Sequence, residues 1–141
     1  MKIDPEDFGE NTVRLKMEHD EAVEYVREVC KKNGFGTIAE FSPSEVLNKK
    51  LGVDHAPYYV LGACNPRLAD KALHETPKIG GLFPCNVVIW EEEPGVQVVY
   101  HVSIMKIAKL LGIAPDNQAW QEILDETGKS VKAVFDELSS D

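Results

Sequence analysis

Tyr58-Tyr59-Val60-Leu61-Gly62-Ala63-Cys64-Asn65-Pro66-Arg67-Leu68-Ala69 is the stretch on which the reading of this chain turns. Its first seven residues are apolar on both faces, as a central strand should be. Asn65 then makes a good N-cap and Pro66 suits a first helical position. A helix therefore opens where the strand stops and runs to about Glu75, with Leu68, Ala69, Ala72 and Leu73 facing in. A buried strand feeding directly into a capped helix needs neighbouring strands and a covered sheet face, which the flanking sequence must supply.

Downstream, the Gly- and Pro-rich loop Thr76–Pro84 precedes two strands, Cys85–Glu91 and Val96–Val102. They are joined across Glu92-Glu93-Pro94-Gly95, a hairpin connection. From Ser103 the apolar period becomes helical: Ile104, Ile107, Ala108 and Leu111 mark one helix ending at Gly112. Pro115-Asp116 opens the last, where Trp120, Ile123, Leu124, Thr127, Val131, Val134, Phe135 and Leu138 share a face. Gly128 costs about 1 kcal/mol against alanine in a helix, so a break or kink is expected there.

Upstream, Thr12–Met17 alternates as a half-buried strand. A helix follows from His19-Asp20, striped by Ala22, Val23, Tyr25, Val26, Val29 and Cys30, and stops at Asn33-Gly34. The stripe places Cys30 in the core. Phe35–Phe41 reads as a second strand, and Ser42-Pro43-Ser44-Glu45 has capping-box spacing. That cap opens a short helix with Val46, Leu47 and Leu51 inward, ending at Gly52. These elements give an α+β protein with a mostly antiparallel sheet of about five strands covered by helices. A doubly wound parallel sheet is disfavoured, because no glycine-rich fingerprint follows the first strand.

The 141 residues suit one domain, 1–141, with fraying expected only at Met1–Gly9 and Leu138–Asp141. Fifteen basic against 24 acidic residues leave a net charge of −9, which repels phosphate backbones and anionic membrane surfaces. Lys31-Lys32 and Lys49-Lys50 fall at helix ends, where the dipole favours cations. Nucleic acid and membrane are therefore not expected partners. No apolar run approaches the roughly 20 residues of a membrane span. The acidic opening does not read as a signal peptide, and three widely spaced cysteines do not form a secreted disulfide framework. The default compartment is cytoplasmic.

Leu51-Gly52-Val53-Asp54, Tyr58, Leu61-Gly62-Ala63-Cys64-Asn65-Pro66, Leu68-Ala69, Ala72-Leu73 and Leu82-Phe83-Pro84-Cys85-Asn86-Val87-Val88 closely resemble the domain of unknown function 302 family. Gly34-Phe35-Gly36 fits as well. The resemblance covers roughly residues 12–102, leaving 103–141 as a helical C-terminal extension. The chain departs from the family pattern at His55, where an aromatic residue is usual, and after His101-Val102. The resemblance implies a TATA-binding-protein-like fold, with helix packed on a curved antiparallel sheet, and homodimers. It supplies no known reaction, and leaves any cofactor open.

Cys64 closes one central strand and Cys85 opens the next, and each is followed by Asn. In the resembled fold the two thiols lie at one end of the sheet, with the helix start beside Cys64. A helix N-terminus favours a thiolate. Three readings stay open. One is a thiol site with Cys64 as nucleophile and Cys85 as partner. The second is a soft-metal site using Cys64 and Cys85 with His55 or His101. The third is a non-catalytic small-ligand pocket or dimer surface lined by Tyr58, Tyr59, Phe83, Cys64, Asn65, Cys85 and Asn86. His19 and His74 read as solvated, His101 as a cross-strand partner, and Glu91-Glu92-Glu93 as a solvated turn. No nucleophile elbow, H-E-x-x-H helix or phosphate loop occurs.

Overall fold

Residues 2–140 are described by a computed structural model. Strands β1 (Asn11–Lys16), β2 (Gly36–Phe41), β3 (Tyr58–Cys64), β4 (Cys85–Glu93) and β5 (Val96–His101) form one open antiparallel sheet, ordered β1-β5-β4-β3-β2. Helices α1 (His19–Lys32), α2 (Pro43–Leu51), α3 (Pro66–Glu75), α4 (Ile104–Leu110) and α5 (Gln118–Ser139) complete the α+β fold.

Alternation along the strands divides the sheet into two faces. Leu15, Leu61, Ala63, Val87, Ile89 and Val99 point at α1 and α5, where they meet Val26, Val29, Val134, Phe135 and Leu138 in the main core. On the open face Tyr58 stacks on Trp90 at 5.9 Å, and Trp90 leans on Tyr100 at 6.1 Å. A second apolar cluster joins α3, α4 and α5 through Ala72, Ile104, Met105, Ala108, Trp120 and Ile123. The loop ahead of β4 belongs to it. Residues Pro77–Leu82 form a 3-10 turn whose Ile79 is fully buried.

Several sequence expectations need correction. Within the described residues both ends carry structure: Pro5–Phe8 is a 3-10 turn, Phe8 accepts a hydrogen bond from the Ser103 amide at 2.8 Å, and Leu138 is buried. Met1 and Asp141 lie outside the described residues. Helix α5 runs unbroken through Gly128. Helix α2 does not turn Val46, Leu47 and Leu51 inward; they are 43%, 38% and 67% exposed. Serines hold that helix instead. Ser42 Oγ caps the Glu45 amide and donates to Tyr58 O, and Ser44 Oγ accepts from the Tyr58 amide at 3.0 Å. Leu73 on α3 is likewise 44% exposed.

Candidate functional site

Strand β3 lies antiparallel to β4, with Ala63 opposite Cys85 and Gly62 opposite Asn86. Cys64 and Cys85 therefore sit at the same end of the sheet, and all three thiols of the protein are free. Asn65 follows as the N-cap of α3, its Oδ1 accepting from the Leu68 amide at 3.2 Å. Its amide group is thus committed to ending the strand and starting the helix. Gly62 lets β2 and the following loop approach β3. A Cβ there would lie 2.8 Å from Ala39 O and 2.9 Å from Pro84 Cγ.

Both cysteines line an apolar cavity of about 40 Å³, together with Phe35, Leu68, Phe83 and Asn65. A second chamber of about 20 Å³ adjoins it, reaching Cys30, His101, Val134 and Phe135. Phe35, Ala63, Cys85 and Thr127 belong to the walls of both. Burial pushes the Cys85 thiol up to about 12, with a further upward push from neighbouring Cys64. Burial alone takes Cys30 up to about 11. Both are protonated thiols at neutral pH.

His101 is 4% exposed, stacked on Phe135 at 6.3 Å, and its Nδ1 donates to Asn86 O at 2.8 Å. A carbonyl can only accept, so Nδ1 carries the proton and Nε2 is left as an acceptor. Burial lowers the pKa of His101 despite the opposing effect of that hydrogen bond, which keeps the ring neutral.

The remaining sequence candidates lie elsewhere. Asn86 follows Cys85 in the strand, so alternation turns its exposed side chain to the other face, and it contributes only its backbone carbonyl to His101. The two Cys-Asn pairs are therefore unlike in role. Tyr58 begins the strand that Cys64 ends, roughly 20 Å away at the rise of a strand, and stacks on Trp90. His55 lies beyond Tyr58, with its amide on Asn48 Oδ1 at 2.8 Å, and is out of reach of the thiols. Among the described residues no group of three or more His, Cys, Asp or Glu side chains is placed to hold a metal ion, which disfavours the soft-metal reading. His19 is not solvated as expected: its Nδ1 meets Oε1 of buried Gln97 at 2.8 Å. Glu91–Glu93 is not a solvated turn but the end of β4: Glu91 accepts from Gln97, and Glu92 takes both oxygens to Arg14 at 2.8 Å.

Sequence reasoning missed the inner chamber and Thr127. One signal was present: Thr127 is a hydroxyl on an otherwise apolar helical stripe.

An open antiparallel sheet, packed helices and two thiols lining a small apolar cavity at a strand end define the class: an α+β domain with a small apolar pocket. The chain belongs to the family described as domain of unknown function DUF302, whose profile matches residues 11–138, from β1 to the end of α5. A solved structure, described as an uncharacterized conserved DUF302 protein from Bacillus stearothermophilus, has the same fold. It shares 28% identity over 90% of this chain and 95% of the other, with a TM-score of 0.76. No curated protein matches the chain. Among the described residues no helix is long and apolar enough to cross a membrane.

Proposed function

We propose that this protein is a binding module for a small uncharged molecule, with its site in the cavity between the start of α3 and the thiol-bearing ends of β3 and β4. The observation that carries this reading is the make-up of the walls. Neither chamber is lined by Asp, Glu, Lys or Arg. The polar groups present are thiols, the His101 imidazole, the hydroxyls of Ser103 and Thr127, and the capping amide. Such walls exclude ions, whose desolvation nothing would repay, and accept apolar or weakly polar guests. A dithiol redox centre is poorly supported, because Cys85 stays protonated far above neutral pH and a thiol attacks as its thiolate. Cys64 remains the thiol for any covalent chemistry at this site.

Thermal shift tests this directly, since a guest that binds only the folded state raises Tm. Short neutral compounds should raise it, while acetate, phosphate and ammonium of equal size should not. A plugged variant, Ala69→Trp, should fold and lose the response. A flat response to every neutral compound, or an undiminished response in the plugged variant, contradicts the reading.

A homodimer is supported by a separate observation. Strand β2 is a sheet edge, and around it Ile38 and Phe41 are 65% and 54% exposed, with Leu51 and Val53 at 67% and 43%. A second copy of this chain suits that surface. An unpaired edge accepts an antiparallel strand related by a two-fold axis, and such a pairing would cover these exposed apolar side chains. Sedimentation of the wild type as a dimer, and of Phe41→Lys as a monomer, is the expected result. A monomeric wild type at concentrations well above the micromolar range removes it.

A further inference from the structure

Thr127 lies midway along α5, is 4% exposed, and contributes to the walls of both chambers. Among the described residues its Oγ1 is the one buried side-chain polar atom without a hydrogen-bond partner. A helical threonine ordinarily satisfies its hydroxyl on a carbonyl one turn back, and here it does not. Its neighbours on the stripe, Trp120, Ile123, Leu124, Val134 and Phe135, are all buried and apolar. A buried hydroxyl left unpaired among them lowers stability, and valine would fill the same space without it. The hydroxyl therefore marks a place where something else supplies the partner.

Size and charge narrow what that is. A cavity needs roughly 10–15 Å³ of this kind of volume for each water-sized occupant, so chambers of about 40 and 20 Å³ hold a guest of about four non-hydrogen atoms. No ionised side chain lines either chamber. The larger chamber is walled by Leu68, Phe83 and Phe35, and Thr127 stands where the two chambers share a wall.

We infer that the guest is a short uncharged oxygen compound, the size of a three-carbon alcohol, aldehyde or ketone, with its apolar body among Leu68, Phe35 and Phe83 and its oxygen on Thr127 Oγ1. This rests on the cavity being a ligand site, as proposed above, and adds the chemical class and the anchor. His101 Nε2 is an acceptor in the wall of the inner chamber, and the Cys85 thiol is a weak donor at the junction. The walls offer no ionised side chain to pair with a carboxylate or an ammonium group.

Methyl NMR of the full chain, titrated separately with propan-1-ol and with dissolved xenon, tests the inference. Propan-1-ol should shift the methyl signals of Thr127 and Ala63. Thr127→Val should weaken its Kd about fivefold, the scale of one neutral hydrogen bond. Xenon, which needs no polar partner, should bind wild type and variant alike, and Thr127→Ser should restore the alcohol affinity. Undiminished propan-1-ol binding in Thr127→Val overturns the inference, as does a wild type that takes xenon but not the alcohol; either leaves the cavity standing as an apolar site. A wild type that takes neither guest overturns the ligand-site reading itself.

Discussion

Gly62 shows how far a single residue can set the geometry of this site. It has no side chain because Ala39 O and Pro84 Cγ stand where a Cβ would go. One of these belongs to β2, at the register shift between Thr37 and Ala39, and the other to the residue that precedes β4. Gly62→Ala must therefore push the edge strand or the loop away from β3, beside the cavity. Overpacking of this kind costs about 1–3 kcal/mol, and denaturant unfolding should show a loss in that range; unchanged stability would mean that the approach is not tight. The cysteines separate at this scale too. At pH 8 iodoacetamide should modify Cys64, which adjoins the exposed start of α3, before Cys30 and Cys85. Burial pushes those two thiols up to about 11 and about 12. Peptide mapping that found Cys85 modified first would contradict the assignment. His101 gives a pH signature. Burial lowers its folded-state pKa, so as pH falls the unfolded chain takes up the proton first. The stability it contributes is whole above the unfolded value of about 6.5 and is lost as pH falls below it. Tm should decline from pH 7 to 5, and the decline should flatten in His101→Gln. The carboxylates held low, Glu40 by the Tyr59 hydroxyl and then Arg27, and Glu92 by Arg14, act in a separate window below about 4.5.

Among the elements, α5 is where local propensity and packing part most clearly. Gly128 disfavours a helix, yet the helix continues through it because Trp120, Ile123, Leu124, Val134 and Phe135 on either side are anchored in the two cores. Nothing lies within 4 Å of a Cβ at Gly128, which is exposed. Gly128→Ala should thus add up to about 1 kcal/mol and raise Tm by a few degrees; a lower Tm would mean that the glycine serves a contact or a motion. The boundary between β3 and α3 was legible, because Asn65-Pro66 fixes it by backbone chemistry, although Leu73 farther along the helix is exposed rather than inward. Helix α2 was legible in its cap but not in its orientation. Its apolar positions suggested burial, whereas hydrogen bonds from Ser42 and Ser44 to the Tyr58 backbone settle its place at the edge of the sheet. Periodicity reports which residues share a face. It does not report whether the rest of the chain covers that face.

For the whole molecule, the antiparallel sheet followed from the hairpin at Pro94-Gly95 and from the absence of a glycine-rich first turn. Strand order did not, since it depends on which strands pair across long separations. That order brings Cys64 and Cys85 together and sends His55 and Tyr58 to the far end of β3. The sequence candidates for the site were therefore half assembled and half dispersed by one topological fact. The inner chamber was beyond reach for the same reason: Cys30, Thr127 and His101 come from α1, α5 and β5 and meet only in the folded core. Everything proposed for function depends on the two chambers being accessible to a guest. The most direct measurement is a crystal of the protein pressurised with xenon. The account predicts a xenon atom in the outer chamber, between Leu68, Phe83 and Cys64. Well-ordered protein with no xenon in either chamber would contradict it.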